Sequence, residues 1–419
     1  MHFIVQGGKK LHGEITVSGS KNAATPIIAA TLLTDRECIL ENVPRIGDVL
    51  VILDLLASMG SEVQWLDAHT VSVINKNVDP GKINQKLFGR IRSSILLVGP
   101  IIARFKKFTF AIPGGCLIGA RPIDAHLNAF KELGAEVLHD EKTGMYTVSL
   151  DKPTAKHLTL REQSVTATEN VLMFGAKHPL SIRLSATEPH VEDLSRFLLK
   201  LGVSITGIGT PNLETKPGAT PQKEIRHRII PDPIEVGTFV ILAAATKSRL
   251  TISPVIPEHL DAVLEKFREM GIVFELTGDT LSVVGSASHL TAAKVDTRPY
   301  PGIPSDLQPL FGVLATQAQG TSLIFDTLYE GRLKYIDALK KMGAEATILD
   351  PHRALITGPS VLQGTEVQSL DLRAGATLLI ASLIAKGESI LGDAEQIDRG
   401  YEAIDERLIR LGADIKRIP

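Results

Sequence analysis

A short pattern recurs six times along this chain of 419 residues and limits the possible folds more than any other feature. Each copy has a leucine or methionine, then a glycine, then an alternating apolar and polar run. The glycines are Gly60, Gly134, Gly202, Gly271, Gly343 and Gly412, and consecutive ones lie 68 to 74 residues apart. Glycine takes the left-handed conformation that ends a helix, and the alternating run predicts a strand. Such helix ends are common in α/β proteins, but six at nearly constant spacing indicate a repeat.

Each repeat also contains a segment that is apolar or small on nearly every side: 23–33, 93–104, 167–176, 236–245, 307–317 and 374–385. Such segments predict helices buried all round, whereas the helices that end at the repeat glycines have a charged outer face. Strand patterns lie between them, for example at 14–17, 147–150, 280–284 and 353–357. We therefore predict an α/β fold of six βαβ-type repeats, each about 70 residues long, with one inner and one outer helix.

A domain boundary is predicted near Pro231-Asp232-Pro233. The preceding stretch, 207–223, is rich in glycine, proline, threonine and asparagine, which is typical of an exposed loop. Three repeat glycines precede the boundary and three follow it, so each of two domains would hold three repeats. The chain is also too long for a single ordinary core.

Composition is that of a soluble globular protein, with 44% hydrophobic and 22% charged residues and a net charge of -2. This charge gives no reason to expect a nucleic-acid or membrane surface. Cys38 and Cys116 are too few for a disulfide framework, and no Cys/His cluster indicates zinc. The N-terminus lacks the apolar core of a secretion signal, and no apolar run is long enough to span a bilayer. We expect a cytoplasmic protein.

Polar and charged residues stand at the starts of the predicted inner helices. They lie in the segments Lys21-Asn22, Arg92, Ser164-Val165-Thr166, Ser305-Asp306 and Arg373. A helix N-terminus carries partial positive charge and free N–H groups, so it attracts anions. Ordinary capping explains the serines. The three cations oppose the helix dipole, and we interpret them as ligands for a highly charged anionic substrate.

The segment Pro113–Pro122, PGGCLIGARP, is predicted to be a loop because three glycines and two prolines disfavour a helix or central strand. It carries Cys116 and, five residues later, Arg121. A thiol on such a loop beside a positive charge is typical of a reactive group. A buried, inert cysteine is an equally common alternative. Arg399 is a further candidate, although a surface salt bridge with Asp398 or Glu402 would also explain it.

Taken together, these residues resemble one family. Lys21-Asn22, the Cys116 loop, Asp306, Arg373 and Ile397-Asp398-Arg399-Gly400-Tyr401 match the UDP-N-acetylglucosamine enolpyruvyl transferases of bacterial peptidoglycan synthesis. The resemblance extends from Val5 to Ile415, and PGGCxIGARP is highly specific to it. It implies a two-domain inside-out α/β barrel: residues 1–20 with 231–419 as the catalytic lobe, residues 21–230 as the lobe with the Cys116 loop, and an active site in the cleft between them.

The resemblance implies transfer of the enolpyruvyl group of phosphoenolpyruvate to the 3-hydroxyl of UDP-N-acetylglucosamine, with release of phosphate. Asp306 matches the base that takes the hydroxyl proton, and Cys116 matches the residue that protonates carbon 3 of the enol. Lys21 and Arg399 match further catalytic residues. The positions that match the phosphoenolpyruvate site are Lys21, Asn22, Arg121, Arg332, Arg373 and Arg399. Those that match the nucleotide-sugar site are Asn22, Arg92, Arg121, Pro122, Ile123, Asp124, Ala125, Ser164, Val165, Asp306 and Leu328.

No metal or organic cofactor is implied, because positioned cations and lobe closure supply the stabilisation. The implied partners are small-molecule substrates alone, with a monomer or weak homo-oligomer as the assembly. A family member would act in cell wall synthesis, and thereby in cell shape and division, and its thiol would react with fosfomycin. Nearby cations favour the Cys116 thiolate, so the roles of acid and nucleophile both stay open.

Four places depart from the family pattern. Thr166 stands where the family usually has glycine, and Gly331 replaces an asparagine. Residues 333–334 replace an aromatic-containing stretch, and His190 stands where a glutamate is common. None of these changes removes a catalytic group. Together they bear on the preference for the acceptor nucleotide.

Three alternatives stay open. The 5-enolpyruvylshikimate-3-phosphate synthases share the sixfold fold and the enolpyruvyl donor, but they lack the cysteine loop. An enolpyruvyl transferase that acts on another nucleotide is compatible with Thr166. A non-catalytic repeat scaffold is the alternative from a different class, and it gives no reason for lysine and arginine at the starts of buried helices.

Overall fold

The computed structural model describes residues 1–115, 118–119, 122–219, 221–286 and 289–419. These residues form thirteen α-helices: α1 Lys21–Ala30, α2 Gly47–Ser58, α3 Gln85–Phe88, α4 Val98–Phe105, α5 Asp124–Glu132, α6 Val165–Gly175, α7 Pro189–Lys200, α8 Pro233–Ala245, α9 Asp261–Glu269, α10 Gln308–Ala315, α11 Tyr335–Lys341, α12 Leu372–Ile384 and α13 Ile404–Arg410. Short 3-10 turns include Arg92–Leu97, Ser305–Leu307, Arg332–Lys334 and Ala394–Arg399. No helix in the described ranges is long and apolar enough to cross a membrane.

The strands of the described residues are β1 His2–Gln6, β2 His12–Thr16, β3 Cys38–Glu41, β4 Glu62–Trp65, β5 Val71–Ile74, β6 Lys107–Phe110, β7 Glu136–Asp140, β8 Met145–Ser149, β9 His157–Thr159, β10 Leu180–Arg183, β11 Ser204–Thr206, β12 Asn212–Lys216, β13 Ile225–Arg228, β14 Arg249–Ser253, β15 Ile272–Thr277, β16 Thr280–Ser286, β17 Lys294–Asp296, β18 Gly320–Phe325, β19 Glu345–Asp350, β20 Arg353–Gly358, β21 Glu366–Gln368, β22 Glu388–Gly392 and β23 Asp414–Ile418. They form five four-stranded sheets and one three-stranded sheet.

The four-stranded sheets share one topology. Each has a parallel strand at one edge and an antiparallel run across the rest, as in β17-β18-β20-β19. Strand β2 pairs in parallel with β14, and β1 lies between β22 and β23. The first residues of the chain therefore complete sheets that are otherwise built from residues after 248.

Contacts group the chain into two compact units. The first unit comprises residues 1–18 and 231–419 and includes Ile118 and Gly119; the second comprises residues 19–115 and 122–230 among the described residues. The sequence prediction ended the N-terminal segment at residue 20 and assigned the whole 113–122 loop to the other lobe. The contacts differ from that prediction by two residues at the boundary and in the position of residues 118–119. The predicted cleft concerns the arrangement of the two units, and it stays a prediction.

Each unit contains three sheets and three inner helices, which confirms the predicted repeat. In the first unit the inner helices are α8, α10 and α12, which pack on one another. Nearly every residue of α8 and α12 is buried, as expected for helices that are apolar on all sides. In the second unit they are α1, α4 and α6. Two of the six inner segments begin as 3-10 turns, at Arg92 and Ser305, so their α-helices start later than predicted.

The repeat glycines end the outer helices as predicted. All six take positive φ angles, between +81° and +102°. A residue with a Cβ is strained in this region, and the next strand begins one or two residues after each glycine. The period in the sequence therefore follows from a repeated helix cap.

Candidate active site

In the first unit, Asp306 lies between two buried arginines. Arg332 Nη2 donates to Asp306 Oδ1 at 2.6 Å, and Arg373 donates through Nε and Nη2 to Oδ2 at 3.1 and 3.0 Å. The side chains of Arg332 and Arg373 are 4% and 1% exposed, whereas that of Asp306 is 29% exposed. Two guanidinium groups out of water thus meet one carboxylate that still reaches solvent.

The Ser305–Leu307 turn and helix α12 bring Asp306 and Arg373 together. Asp306 lies in the turn before α10, and Arg373 is the second residue of α12. Asp371 caps α12 by accepting hydrogen bonds from the N–H groups of Arg373 and Ala374. Because α10 and α12 pack together, the starts of two inner helices place the carboxylate and the guanidinium in contact.

Asp326 positions Arg332 and the segment before it. Arg332 Nε donates to Ser305 Oγ at 3.3 Å, and the Ser305 hydroxyl donates to Asp326 at 2.5 Å. The other Asp326 oxygen accepts the N–H groups of Leu328 and Tyr329, both at 2.9 Å. Asp326 is fully buried, and it connects the predicted residues Leu328 and, through Ser305, Arg332, although the sequence analysis did not single it out.

The environment of Arg373 favours its charged form. Burial by itself lowers the pKa of this guanidinium, but the Asp306 carboxylate raises it above its ordinary value. The guanidinium carbon lies 5.2 Å from the ring centre of Tyr401, whose hydroxyl makes a 2.8 Å hydrogen bond with Thr238. The Tyr401 hydroxyl also favours the charged form, but no group among the described residues lies in hydrogen-bond geometry with the buried Arg373 Nη1. It therefore keeps donor capacity for an anion.

Asp232 is a buried acid that sequence reasoning used only as a boundary marker. Its carboxylate caps α8 by accepting the N–H of Ile234 at 2.9 Å. Burial raises the pKa of Asp232 to about 6, against the lowering effect of Arg373. The group therefore titrates near neutral pH within the charged cluster of the first unit.

This shift predicts a pH-dependent effect of Asp232→Asn on stability. Below the unfolded pKa near 3.8 the carboxyl is protonated in both states, and it carries no penalty. As pH rises through the folded pKa of about 6, the native state must hold a buried charge, so this contribution to stability is lost. Asparagine retains the cap and avoids the charge.

The expected result is that Asp232→Asn gains up to about 3 kcal/mol relative to wild type between pH 4 and pH 7.5. Urea unfolding of both proteins at the two pH values measures this gain. If Asp232→Asn and wild type differ in unfolding free energy by the same amount at both pH values, the raised pKa of Asp232 is wrong.

Arg399 lies at the end of the 3-10 turn Ala394–Arg399. Its Nη1 donates to Gln396 at 3.1 Å. Both oxygens of Asp398, one proposed surface partner of Arg399, accept hydrogen bonds from Arg417 at 2.7 and 2.9 Å. The acid next to Arg399 thus contributes to a separate ion pair.

Gly331 allows residue 118 to pack directly before Arg332. The Gly331 N–H donates to the carbonyl of Ile118 at 3.0 Å. A Cβ on Gly331 would lie 2.7 Å from the Ile118 carbonyl carbon and 2.8 Å from its oxygen. Such distances are too short for any side chain, so the close approach accounts for glycine where asparagine was expected. Cys116, Leu117, Ala120 and Arg121 lie outside the described residues.

Gly331→Ala is expected to displace the backbone at Ile118 and Gly119, at a local cost of about 1 kcal/mol. Hydrogen exchange of the peptide that contains these residues should then be about fivefold faster. Gly81→Ala is the control, since a Cβ there meets only the Asp79 side chain within 4 Å. Unchanged exchange at residues 118–119 in Gly331→Ala would show that this contact does not hold the segment.

In the second unit, Lys21 is the first residue of α1 and pairs with Asp48. The Lys21 Nζ and Asp48 Oδ2 are 2.9 Å apart, and both side chains are largely removed from solvent. Asp48 lies in the first turn of α2, where a carboxylate is favourable. The sequence analysis explained the lysine at the start of α1 by a bound ligand. The Asp48 carboxylate provides part of that explanation instead, because it neutralises the Lys21 charge within the protein.

A second set of predicted residues meets at the starts of α5 and α6. Arg92 Nη2 donates to the carbonyl of Pro122 at 2.6 Å. Asp124 begins α5, and Ser164 caps α6 with its hydroxyl toward the Ala167 N–H. A hydrogen bond between His126 on α5 and Thr166 on α6 connects the two helices, with 3.1 Å between His126 Nε2 and Thr166 Oγ1. The structure thus brings Arg92, the 122–125 segment and Ser164-Val165 to one region of the second unit, next to α1.

Sequence reasoning missed the buried polar residues beneath this region. His126 is fully buried, and burial, followed by the charge of Arg92, lowers its pKa to about 3. Burial and then Glu188 raise the pKa of Glu169 well above its ordinary value. Asn170 bonds with residues on three other segments. A polar residue in an otherwise apolar helix was the only signal that could have indicated them.

The two clusters have different chemistry. The cluster of the first unit combines a carboxylate that can accept a proton with guanidinium groups that can bind a carboxylate or phosphate. The cluster of the second unit offers helix N-termini, Lys21 and Arg92, which suit phosphate and polar groups. Among the described residues, no group of three or more His, Cys, Asp or Glu side chains could hold a metal ion.

Comparison with known proteins gives one consistent result. The model of the family EPSP synthase (3-phosphoshikimate 1-carboxyvinyltransferase) matches residues 5–408. UDP-N-acetylglucosamine 1-carboxyvinyltransferase 1 of Carboxydothermus hydrogenoformans is 41% identical over 99% of this chain and 98% of its own length. The UDP-N-acetylglucosamine 1-carboxyvinyltransferase of Bradyrhizobium diazoefficiens is also 41% identical, over 100% of this chain and 98% of its own length.

Solved structures confirm the predicted fold class. The enolpyruvyl transferase NikO from Streptomyces tendae superposes with a TM-score of 0.90 at 23% identity and covers 99% of this chain and 98% of its own. EPSP synthase from Acinetobacter baumannii gives a TM-score of 0.74 at 17% identity, with 99% of both chains covered. At these identities the likeness concerns the fold alone.

Proposed function

Because the chain belongs to the EPSP synthase family and, within it, to the UDP-N-acetylglucosamine 1-carboxyvinyltransferases, we propose that it transfers the enolpyruvyl group of phosphoenolpyruvate to the 3-hydroxyl of UDP-N-acetylglucosamine. Phosphate is the leaving group. The enzyme thereby catalyses the first committed step of peptidoglycan synthesis, in the cytoplasm of a bacterium, and its activity supports cell shape and division.

The observation that carries this proposal is the Asp306 carboxylate held by Arg332 and Arg373. In the reaction, the acceptor hydroxyl loses a proton, and Asp306 is the base. It is oriented on one oxygen by Arg332 and on the other by Arg373, and it remains partly exposed. Fixed geometry at a base removes the reorganisation that would otherwise accompany proton transfer.

The same arginines bind the carboxylate of phosphoenolpyruvate. No group among the described residues lies in hydrogen-bond geometry with the buried Arg373 Nη1, which supports this assignment. When the substrate carboxylate binds, the guanidinium groups divide their charge between it and Asp306. The anion raises the basicity of Asp306, so substrate binding prepares the base for proton transfer.

Lys21, Arg121 and Arg399 bind the phosphate, and Asn22 contacts both substrates. Lys21 would exchange part of its interaction with Asp48 for the phosphate oxygens, which the 15% exposure of its side chain allows. The nucleotide sugar is held by Arg92, the 121–125 segment, Ser164-Val165 and Leu328. The contact of Arg92 with the Pro122 carbonyl and the capped start of α6 support this part of the site.

Cys116 donates a proton to carbon 3 of the enol as the acceptor oxygen adds to carbon 2; carbon 3 then loses a proton as phosphate leaves carbon 2, which restores the enolpyruvyl double bond. Cys116 is also the position that fosfomycin alkylates. Cys116→Asp separates two roles of the thiol. An active variant that fosfomycin no longer inhibits would support an acid, and an inactive variant would indicate a need for sulfur. No metal or organic cofactor takes part in this proposal.

Phosphate release tests the function. The protein is mixed with phosphoenolpyruvate and one acceptor at a time: UDP-N-acetylglucosamine, UDP-glucose, UDP or shikimate 3-phosphate. Release with UDP-N-acetylglucosamine, at least tenfold above every other acceptor, is expected. Release only with shikimate 3-phosphate, or only with another nucleotide, would show that UDP-N-acetylglucosamine is not the acceptor. No release with any acceptor would favour a non-catalytic scaffold.

A further inference from the structure

We propose that Thr166 determines specificity at the nucleotide-sugar site: its hydroxyl, oriented by His126, donates a hydrogen bond to an acceptor oxygen on the nucleotide part of the substrate. The inference depends on the proposed function, because it names a contact within that site. Thr166 is not among the residues that the family pattern assigns there, and it stands in place of a glycine.

The orientation begins with Asn170, whose amide has only one arrangement. Its Oδ1 accepts the N–H of Gly99 at 2.5 Å, so the opposite atom must be the Nδ2 donor. This Nδ2 has three neighbours: the carbonyl of Ile95 at 3.0 Å, the carbonyl of Thr166 at 3.2 Å and His126 Nδ1 at 2.9 Å, which is the shortest of the three contacts. An amide nitrogen offers hydrogens and accepts none, so His126 Nδ1 is the acceptor.

The acceptor role of Nδ1 selects the tautomer of His126. The ring is fully buried, and burial lowers the pKa of His126 to about 3, so at neutral pH it carries one proton only. Since Nδ1 accepts from Asn170, that proton is on Nε2. His126 Nε2 therefore donates to Thr166 Oγ1 across the 3.1 Å contact.

The tautomer in turn orients Thr166. Its oxygen receives the imidazole N–H, so its own O–H hydrogen is available to donate. Apart from the contact with His126, the Thr166 hydroxyl makes no hydrogen bond among the described residues. Thr166 as a residue is half-buried, so it retains contact with solvent.

The position of this donor matches the proposed site. Thr166 is the second residue of α6, directly after Val165, in the first turn, where amide groups lack partners within the helix. An additional O–H donor there favours an acceptor oxygen and opposes a group that presents N–H. The acceptor is a carbonyl of the pyrimidine ring or an oxygen of the diphosphate. A glycine at this position would leave the N–H of His126 Nε2 without the Thr166 oxygen.

Binding measurements with Thr166→Val test the inference, because valine keeps the branched shape and removes the hydroxyl. Calorimetric titration with UDP is expected to give a Kd about five- to tenfold higher than for wild type, the effect of one lost hydrogen bond. In turnover assays, KM for UDP-N-acetylglucosamine should rise by the same factor, while kcat and KM for phosphoenolpyruvate change less than twofold. Thr166→Ser restores the hydroxyl and should return the Kd of UDP toward the wild-type value.

Titrations with uridine and with pyrophosphate identify the acceptor oxygen. A higher Kd of uridine in Thr166→Val than in wild type assigns the acceptor of the Thr166 hydrogen bond to the ring carbonyl. A higher Kd of pyrophosphate alone assigns it to the diphosphate. A Kd of UDP within twofold of wild type in an active enzyme, or a loss that serine does not rescue, would overturn the inference alone. Failure of wild type to bind UDP or to release phosphate would overturn the proposed function and this inference with it. If valine prevents folding, Thr166→Ala provides the same comparison.

Discussion

Replacement of Asp306 by asparagine is expected to lower kcat for phosphate release by about 1,000-fold, the usual contribution of a general base. Asparagine can still accept a hydrogen bond from Arg332 through its oxygen, but its NH2 group would face the donors of Arg373. The variant thus loses both the proton acceptor and one of two charge-assisted contacts. Single-turnover phosphate release at saturating substrates measures the chemical step.

Two comparisons isolate the role of the base. Asp79→Asn makes the same change at a capping aspartate on the Pro80–Lys82 turn, where asparagine caps equally well, and should leave kcat within twofold. Calorimetry with UDP should give Asp306→Asn a Kd within about threefold of wild type, because the nucleotide is held in the main by second-unit residues in the proposal. Retained turnover in Asp306→Asn would exclude this residue as the base.

Removal of Arg407 should destabilise the first unit by about 3–5 kcal/mol. Arg407 binds both oxygens of Glu235, at 2.6 and 3.1 Å, and donates to the carbonyl of Thr16 at 2.6 Å. Glu235 also accepts the N–H of Ser18 at 2.6 Å, and its side chain is 3% exposed. In Arg407→Ala, a buried carboxylate loses its counter-charge and the 16–18 segment loses its attachment.

Urea unfolding followed by circular dichroism measures the loss, and the fluorescence of Trp65 monitors the second unit separately, since it is the single tryptophan of the chain. Arg226→Ala, which breaks an exposed pair with Glu224, is the control and should change stability by less than about 1 kcal/mol. The double replacement Glu235→Leu with Arg407→Leu should be less destabilised than Arg407→Ala, because no charge stays buried. If Arg226→Ala and Arg407→Ala lower the free energy of unfolding equally, burial of the Arg407–Glu235 ion pair does not add to its contribution to stability.

The six-repeat architecture was predictable because it depends on local patterns. A glycine at a helix end, an apolar segment and an alternating strand each reflect backbone conformation or burial within about ten residues. The start of the 3-10 turn at Arg92 was not predictable at this level. The 3-10 and α-helical conformations differ little in energy over so short a segment, so packing against the neighbouring elements selects between them.

The charged residues at the helix starts show where sequence reasoning reached its limit. The pattern predicted a ligand for Lys21 because a lysine opposes the helix dipole, but part of the compensation comes from Asp48, 27 positions away in the chain. Charge compensation acts through space, so spacing along the chain does not identify the partner. The same holds for Asp306, whose two arginines follow 26 and 67 residues later.

The departures from the family pattern needed the structure for their explanation. Gly331 and Thr166 looked like isolated substitutions in the sequence. In the structure, the Ile118 backbone lies too close to Gly331 for any Cβ there, and Thr166 Oγ1 lies 3.1 Å from His126 Nε2. Both explanations depend on atoms that come from other repeats or loops.

The sequence by itself determined the α/β class, the six repeats, the inner and outer helices and the family, since each is written in local periodicity or in a contiguous motif. Only the tertiary structure decided which charges are compensated internally and which polar groups are buried. These properties depend on distances between residues that are remote in the chain. The strength of a hydrogen bond changes when its length changes by a few tenths of an ångström, and that of an ion pair when its length changes by a few ångströms.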